Sequence, residues 1–517
     1  MDKRSAIEML FGELVKVSSE NQMNLGSLGA DWGNANSPTF NRNKVLFMQM
    51  MRDLAKRCSV KYFSSQYYLF TGKIYEVVEE DVLNHCYELL LEHYMLAPMI
   101  SKNSIRKECF LDVIRLLNPL VPRYDVVAFN NGVLMMNDPK HPKLVPFHPD
   151  LHCTYYHPYD YNPAAKCDRW KTFLYEVLPD KTQRTILQMF LGLGLTQRGD
   201  VFARKDETEM SKIEICLMLV GSGANGKSVI FEVARAIFGK ENISSMDYEQ
   251  LTADGDEGMR GRFPIRNAVF NWSSDSDPKK FGKKNTGMFK RIVSGEPVPY
   301  RKLGRDVMTT GSLPYLIFAL NALPNYDDTS LGFIRRLQYI AFNVTIPKER
   351  QDPMLASKLI KSELPGIFNW ILRGSNEARF RHYKFPDTPS SRLTMLRSLL
   401  MASPVLAWLK SYELRSEALT KNEVFSVITS KSLYEAFCSF CEVNNVDPTE
   451  IPTLNMFGRI LWDKCGFVKT RIAKGSAYKI YGATEESIQE PFILAEKKEE
   501  EFEYEDSTPY GFIKGDD

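Results

Sequence analysis

Residues 213–239 read IEICLMLVGSGANGKSVIFEVARAIFG, an apolar run, a glycine-rich octapeptide and an amphipathic helix in direct succession. No other stretch constrains the fold as tightly. The run Ile213 to Val220 has the composition of a strand buried on both faces. The octapeptide Gly221, Ser222, Gly223, Ala224, Asn225, Gly226, Lys227, Ser228 follows the GxxxxGK[ST] pattern, and Val229 continues into the helix. Its glycines let backbone N–H groups curl around a phosphate chain, and the helix N-terminus adds partial positive charge. Lys227 is then placed to reach the β- and γ-phosphates of a nucleoside triphosphate, and Ser228 to hold Mg²⁺.

A nucleotide site of this kind needs an acid at the end of a neighbouring strand. The run RNAVFNWSSDSDP supplies a strand over Ala268 to Trp272, followed by Asp275 and Asp277. A capped turn after a strand reads the same way. Further on, YLIFALNALPNYDD is an apolar strand ending in Asn321, an amide placed to orient an attacking water or simply a turn residue before Pro324. GFIRRLQYIAF then sets Arg335 and Arg336 at the start of another strand, as candidate arginine fingers or solvated charges.

Together, in this order from Gly221 to Arg336, these elements resemble the superfamily 3 helicases, a branch of the AAA+ ATPases of viruses, phages and mobile genetic elements. More narrowly they are similar to the poxvirus and phage-satellite primase-helicase branch, whose P-loop reads GxGxNGKS. IFGKENISSMDYEQL, FNWSSD and FKRIVSGEPVPYRKL match that branch's later motifs. The resemblance implies an α/β AAA+ P-loop core, preceded by a mainly helical α+β domain and followed by a C-terminal winged helix. It implies ATP and Mg²⁺ as cofactors, with Lys227 and Ser228 on the phosphates and metal. It assigns Asp275 to the second motif and to Mg²⁺, Asn321 to the sensor, and Arg336 or Arg335 to a finger supplied to a neighbouring subunit. Ser274-Asp275 stands where many members carry two acids, so Asp277 remains an alternative for that role. A finger acting in trans implies a ring, usually a hexamer, and the family moves 3′ to 5′ on single-stranded DNA.

Translocation in the family uses a pore loop or hairpin. VPYRKLGRDVMTTGSLPYLIF has two β-type runs, with Arg301, Lys302 and Arg305 near the first. Cations on such a loop hold backbone phosphates without reading bases. An ordinary solvated hairpin is the alternative. Near the C-terminus, TLNMFGRILWDKCG reads as a helix capped by Thr453 or Asn455 and ended by Gly466. It carries Arg459, and the ribbon after it carries Lys469, Arg471 and Lys474. A helix followed by a basic hairpin is how a winged helix meets duplex DNA. A helical lid with a basic face is the alternative.

The domain organisation expected is a helical extension over 1–60, a helical and hairpin domain over 61–200, and the ATPase over 201–380. A Pro/Ser linker over 381–399, the winged helix over 400–482 and a disordered acidic tail over 483–517 complete it. That tail, from Thr484, holds twelve acids and three lysines, leaving 63 basic against 52 acidic residues before it. A basic body suits a nucleic-acid protein. No apolar run approaches the ~18 residues of a membrane span, so a cytoplasmic protein is expected, in a bacterial host where a phage or mobile element encodes it. Cys438 and Cys441 form a lone CxxC, read as two helical residues near a core. Residues 1–60 are too few, and too sparse in acids, to hold a polymerising primase, which implies a separate primase or polymerase as partner. The rival readings are an origin-binding initiator or loader without processive unwinding, a DNA-binding scaffold with weak ATPase, and a small-molecule kinase.

Overall fold

The computed structural model describes residues 2–20, 37–63, 66–94, 107–121, 123, 125–136, 142–195, 213–302, 307–309, 313–324, 326–463, 465–473 and 475–494. Helices α1 (Lys3–Glu20) and α2 (Pro38–Arg57) lead into an antiparallel sheet of β1 (Val60–Phe63), β2 (Gln66–Phe70) and β3 (Tyr75–Val78), then α3 (Glu80–His93) and α4 (Asp112–Leu117). Ser37 caps α2 by accepting from the Phe40 N–H, and Pro38 sits where a missing N–H costs nothing. Leu10 and Leu14 of α1 and Phe47 and Leu54 of α2 share one core with Leu83, Leu90 and Phe110. Helices α1 and α2 therefore pack as part of the region that follows them, rather than as an extension, because their apolar stripes share its core.

The second hairpin pairs β4 (Val126–Phe129) with β5 (Gly132–Met135), flanked by β6 (Lys143–Val145) and β7 (Tyr156–His157). Helices α5 (Asp168–Val177) and α6 (Lys181–Gly192) follow, and the Asp180 carboxylate caps α6 by accepting from the Thr182 N–H at 2.7 Å.

The central sheet is built from β8 (Cys216–Val220), β9 (Ile243–Ser244), β10 (Phe270–Ser276), β13 (Tyr315–Leu320) and β14 (Leu337–Ala341). Its order is β14-β8-β13-β10-β9, and every neighbouring pair is parallel. Between these strands lie α7 (Lys227–Phe238), α8 (Tyr248–Thr252), α9 (Gly255–Gly261), α10 (Thr286–Val293), the antiparallel pair β11 (Pro299–Arg301) and β12 (Val307–Thr309), and the short α11 (Leu331–Ile334). Both faces are buried, as the continuous apolar runs require. Leu217, Leu219, Trp272 and Ile317 pack toward α6, α7 and the long α12 (Leu355–Phe380). Met218, Phe318 and Tyr339 face the other way, into a core that continues into the C-terminal region.

That region comprises α13 (Pro389–Ala402), α14 (Pro404–Ser411), β15 (Ser426–Thr429), α15 (Ser430–Val443), α16 (Leu454–Asp463), β16 (Lys469–Ile472) and β17 (Gly475–Ile480), its sheet ordered β15-β17-β16 and antiparallel. Thr453, rather than Asn455, offers its hydroxyl to the start of α16, and Gly466 takes the left-handed conformation after it. The expected linker differs from the structure. Residues 389–402 are helical, with Ser391 and Ser398 buried because their hydroxyls donate to the carbonyls of Tyr339 and Pro324, each at 2.7 Å. The start of the expected tail also differs: Ile488 and Leu494 are buried, and the Phe492 N–H donates to the Tyr412 hydroxyl at 2.7 Å. Residues 495–517 lie outside the described residues. Among the described residues no helix is long and apolar enough to cross a membrane.

Helices α6 and α12 meet backbone to backbone. A Cβ on Gly374 would overlap the Gln188 carbonyl, and one on Gly192 would overlap the Ser375 N–H. Both obstacles are main chain and cannot swing away. Gly374→Ala is expected to cost about 1–3 kcal/mol or more through overpacking. Chemical denaturation checks this, and an unchanged midpoint would show that the crossing can open freely.

Candidate functional site

The loop after β8 is held from the side of β14. The Phe342 N–H donates to the Val220 carbonyl at 2.7 Å, the Asn225 amide reaches the Phe342 carbonyl at 3.4 Å, and the Ile346 N–H donates to the Ala224 carbonyl at 2.9 Å. Gly223 (φ +112°), Ala224 (φ +49°) and Gly226 (φ +85°) all take positive φ, which bends the chain into a cradle. For Ala224 that conformation costs on the order of 1–2 kcal/mol, offset where its carbonyl is locked by Ile346. A Cβ on Gly226 would meet the Phe173 ring at 2.8 Å, so α5 presses on the loop from behind. Ser222 and Ser228 are exposed at the mouth, while Val229 is half-buried.

Lys227 is buried at the first turn of α7. Its Nζ donates to the Gly221 carbonyl at 2.6 Å and to Asn225 Oδ1 at 3.0 Å. Burial pulls its pKa down to about 8, and the nearby Asp275 carboxylate opposes that shift. The ammonium is thus kept inside the loop by two neutral oxygens.

Asp275 and Asn321 come together. The Asn321 amide donates to Asp275 Oδ1 at 3.1 Å across the tips of β10 and β13, and both residues are exposed. A register shift between Ser273 and Ser276 interrupts the β10–β13 ladder at this point. Such bulges turn side chains off the alternation of a strand. Asp277 does otherwise: its carboxylate accepts from the Lys279 N–H at 2.9 Å and caps the turn that follows.

The arginine pair lies at the opposite edge of the sheet, before β14. Arg336 is buried, and its Nη2 donates to Glu214 Oε1 at 3.0 Å and to the Ser294 hydroxyl at 2.8 Å. Arg335 is exposed and donates to Glu214 Oε2 at 2.6 Å. One carboxylate therefore holds both guanidinium groups. Neither Glu214 nor Ser294 was legible as a partner, since 122 residues separate Glu214 from Arg336.

On the β11–β12 hairpin, Arg301 pairs with Asp256 at 2.8 Å and Lys302 lies 6.0 Å from the centre of the Phe263 ring. Arg305 and Lys474 lie outside the described residues. Arg459 on α16 and Lys469 on β16 line one groove of about 990 Å³, together with Lys431 and Trp462. Arg471 is exposed on the same strand as Lys469. Trp462 is 55% exposed, although in the sequence it reads as one more apolar residue of the helix.

Comparison with known proteins gives partial matches. Residues 48–179 match the family described as D5 N terminal like, and residues 219–336 match a family of unknown function (DUF5906). A protein of Acanthamoeba polyphaga mimivirus, provisionally named a helicase, is 25% identical over 232 residues, covering 43% of this chain and 21% of the relative. The match thus spans about a fifth of that relative. Two apo structures of the NrS-1 C-terminal region, both in the A form, align over 82% of this chain and 96% of theirs, at TM-score 0.40 and 10% or 11% identity.

An anion that recruits the Lys227 ammonium has to find it protonated. In the free protein the proton is lost as pH rises through about 8, so binding above that pH takes up a proton. Inorganic tripolyphosphate affinity is expected to fall from pH 7.5 to 9.5 in the wild type. In Lys227→Arg, whose side chain stays charged, only the pH slope of the probe's own titration is expected to remain. Calorimetric titration at several pH values reads this, and equal pH slopes in both proteins would remove Lys227 from the anion contact.

Proposed function

We propose that this chain is an ATP-hydrolysing DNA motor of the superfamily 3, AAA+ type, working as a replicative helicase of a phage or mobile genetic element. The observation that carries the reading is the meeting of Asp275 and Asn321 beside the Lys227 loop, at the carboxyl edge of three adjacent parallel strands. Ligands of open parallel sheets sit at that edge. The resemblance of residues 221–336 to the motifs of that class, and the mimivirus relative, support it.

In this reading ATP lies along Gly221 to Val229, with backbone N–H groups and the Lys227 ammonium on its phosphates. Lys227 exchanges its two neutral loop oxygens for phosphate oxygens, and its own charge is then balanced. Asn321 holds the attacking water and Asp275 orients it. The exposed Ser228 hydroxyl and Asp275 carboxylate are hard oxygen donors suited to Mg²⁺, which neutralises charge on the β- and γ-phosphates when bound.

Arg335 supplies the finger to the neighbouring subunit of a ring, a hexamer by resemblance. It is the exposed member of the pair, with Arg336 buried behind it. The β11–β12 hairpin carries Arg301 and Lys302, with Arg305 next to them in sequence, toward the backbone of one DNA strand, tracked 3′ to 5′. The succession α14, β15, α15, α16, β16, β17 is read as a winged helix, with α16 and its Arg459 facing duplex DNA and the ribbon of Lys469 and Arg471 beside it, followed in sequence by Lys474. A separate primase or polymerase is the partner this assembly calls for.

The test is ATP hydrolysis with and without single-stranded DNA, together with mass determination. Stimulation by DNA, a dead Lys227→Ala and a loss of about 10³-fold or more in Arg335→Ala are expected. Mixing the two variants should restore part of the activity, because each interface draws on two subunits. Hydrolysis indifferent to DNA, by a protein that stays monomeric with nucleotide, would overturn the motor. A strand-displacement assay separates unwinding from origin melting.

A further inference from the structure

A second cavity, of about 720 Å³, lies away from the nucleotide loop. Its walls come from β2, β3, β4 and residues 152–157 on one side. On the other they come from Arg266, Leu313 and Tyr315, where β10 and β13 begin. It therefore opens at the amino edge of the central sheet, whereas the Lys227 loop sits at the carboxyl edge. Small-molecule sites commonly span ~300–1,000 Å³.

Three of its lining residues have buried polar atoms with no hydrogen-bond partner: the Tyr75 hydroxyl, His157 Nδ1 and Arg266 Nε. Tyr75 is 1% exposed and His157 5%. Native interiors pair such atoms, and the exceptions call for a water, an ion or a ligand. The His157 ring already hydrogen-bonds the Ile237 backbone, and burial holds its pKa down to about 4. It is neutral at pH 7, so the unpartnered nitrogen is an acceptor. The Tyr75 hydroxyl serves as either donor or acceptor, and Arg266 Nε as donor only.

Arg266 sets the charge of the ligand. Its Nη2 donates to Gln66 Oε1 at 3.2 Å and its Nη1 to the Phe263 carbonyl at 3.0 Å, and the guanidinium lies 3.7 Å over the Phe263 ring. All three contacts are neutral, so among the described residues this half-buried cation has no carboxylate partner. Tyr68, Tyr155 and Tyr315 complete an aromatic lining. Arg123 lines the cavity too, but it is paired with Asp125 at 2.6 Å, and Glu76 and Glu241 stand at the same walls. Arg266, the guanidinium there without a carboxylate partner among the described residues, suits with the aromatic faces a flat ligand bearing an anionic group.

We propose that this cavity binds a nucleotide, its base against the tyrosine faces and its phosphate on Arg266. The inference stands apart from the motor reading, since no residue of the Lys227 loop takes part. The nucleotide is either free or the terminal residue of a DNA strand.

Calorimetric titration of the full chain with dAMP, which lacks the β- and γ-phosphates that Lys227 serves, provides the test. A 5′-phosphorylated oligodeoxyadenylate of eight residues forms the second arm. Wild type and Lys227→Ala are expected to bind dAMP equally. Arg266→Gln should weaken binding at least tenfold, and Tyr75→Phe about fivefold. Without ligand, Tyr75→Phe should melt no lower than wild type, because it removes an unsatisfied buried hydroxyl and keeps the ring. That variant keeps the test sound even if Arg266→Gln loosens the fold. Tighter binding of the oligonucleotide than of dAMP identifies a strand end as the source, and equal or weaker binding a free nucleotide. No binding of either probe, loss of binding in Lys227→Ala, or unchanged binding in Tyr75→Phe would each overturn the proposal, the first by leaving the cavity to water alone.

Discussion

The parallel pairing of β8, β10, β13 and β14 decides where every candidate residue of the central unit lies. All four strands begin at one edge and end at the other, and their ladders use up the backbone groups between. Lys227, Asp275 and Asn321 come after strand ends, or at them, and share the carboxyl edge. Arg335 and Arg336 precede a strand, and Leu337 pairs with Cys216 at the opposite edge. The five residues of β8, at ~3.3 Å each, set the two groups roughly 16 Å apart. An arginine side chain does not cross that distance. If Arg335 serves a nucleotide as proposed, that nucleotide lies on the loop of another copy of the chain.

Much of this unit was legible because burial on both faces leaves a plain signal. IEICLMLV and YLIFAL have no polar residue inside that a two-faced strand cannot hide, apart from Glu214 at the very start. The order of loop, acid, amide and arginine pair was legible too. Contacts between them were not. Nothing in SSDSD distinguishes the carboxylate turned toward Asn321 from the one that caps the next turn, because the bulge between Ser273 and Ser276 is a property of pairing. The serines and threonines of α13 read as linker because hydroxyls in a sequence look solvated. In the fold, Ser391 and Ser398 are buried against carbonyls of the sheet unit. The four-residue β15 is not legible in the sequence for a related reason: it is too short to show alternation and gains its stability from β17.

The C-terminal region is joined to the sheet by a core and not by a tether. Met218, Phe318 and Tyr339 belong to the same apolar cluster as Leu399, Trp408, Phe437 and Phe457. Helix α13 is the seam. Its Ser398 hydroxyl accepts from the Tyr339 hydroxyl at 3.3 Å and donates to the carbonyl of Pro324, three residues beyond Asn321. The tip of β13 is thereby hydrogen-bonded to the helix that leads into the groove of Arg459 and Trp462. A shift of Asn321 has to move this seam or break a buried hydrogen bond, which costs about 1–3 kcal/mol.

Burial also separates two adjacent arginines that sequence treats alike. Arg336 spends its guanidinium inside the chain, on Glu214, Ser294 and the Gly332 carbonyl. Removing it leaves Glu214 with the Ser294 hydroxyl and the exposed Arg335 but without its buried counter-charge, and destabilises the edge. An inactive Arg336 variant is therefore compatible with a purely structural role, because the loss of support and the tighter capture of Arg335 act in the same direction. Arg335 has no such ambiguity. It is 62% exposed and touches Glu214 from outside, where an ion pair contributes about 0–1 kcal/mol. It can leave that carboxylate for a phosphate at little cost, and Glu214 then remains neutralised by Arg336. The buried arginine keeps the carboxylate in place, and the exposed one is held only from outside.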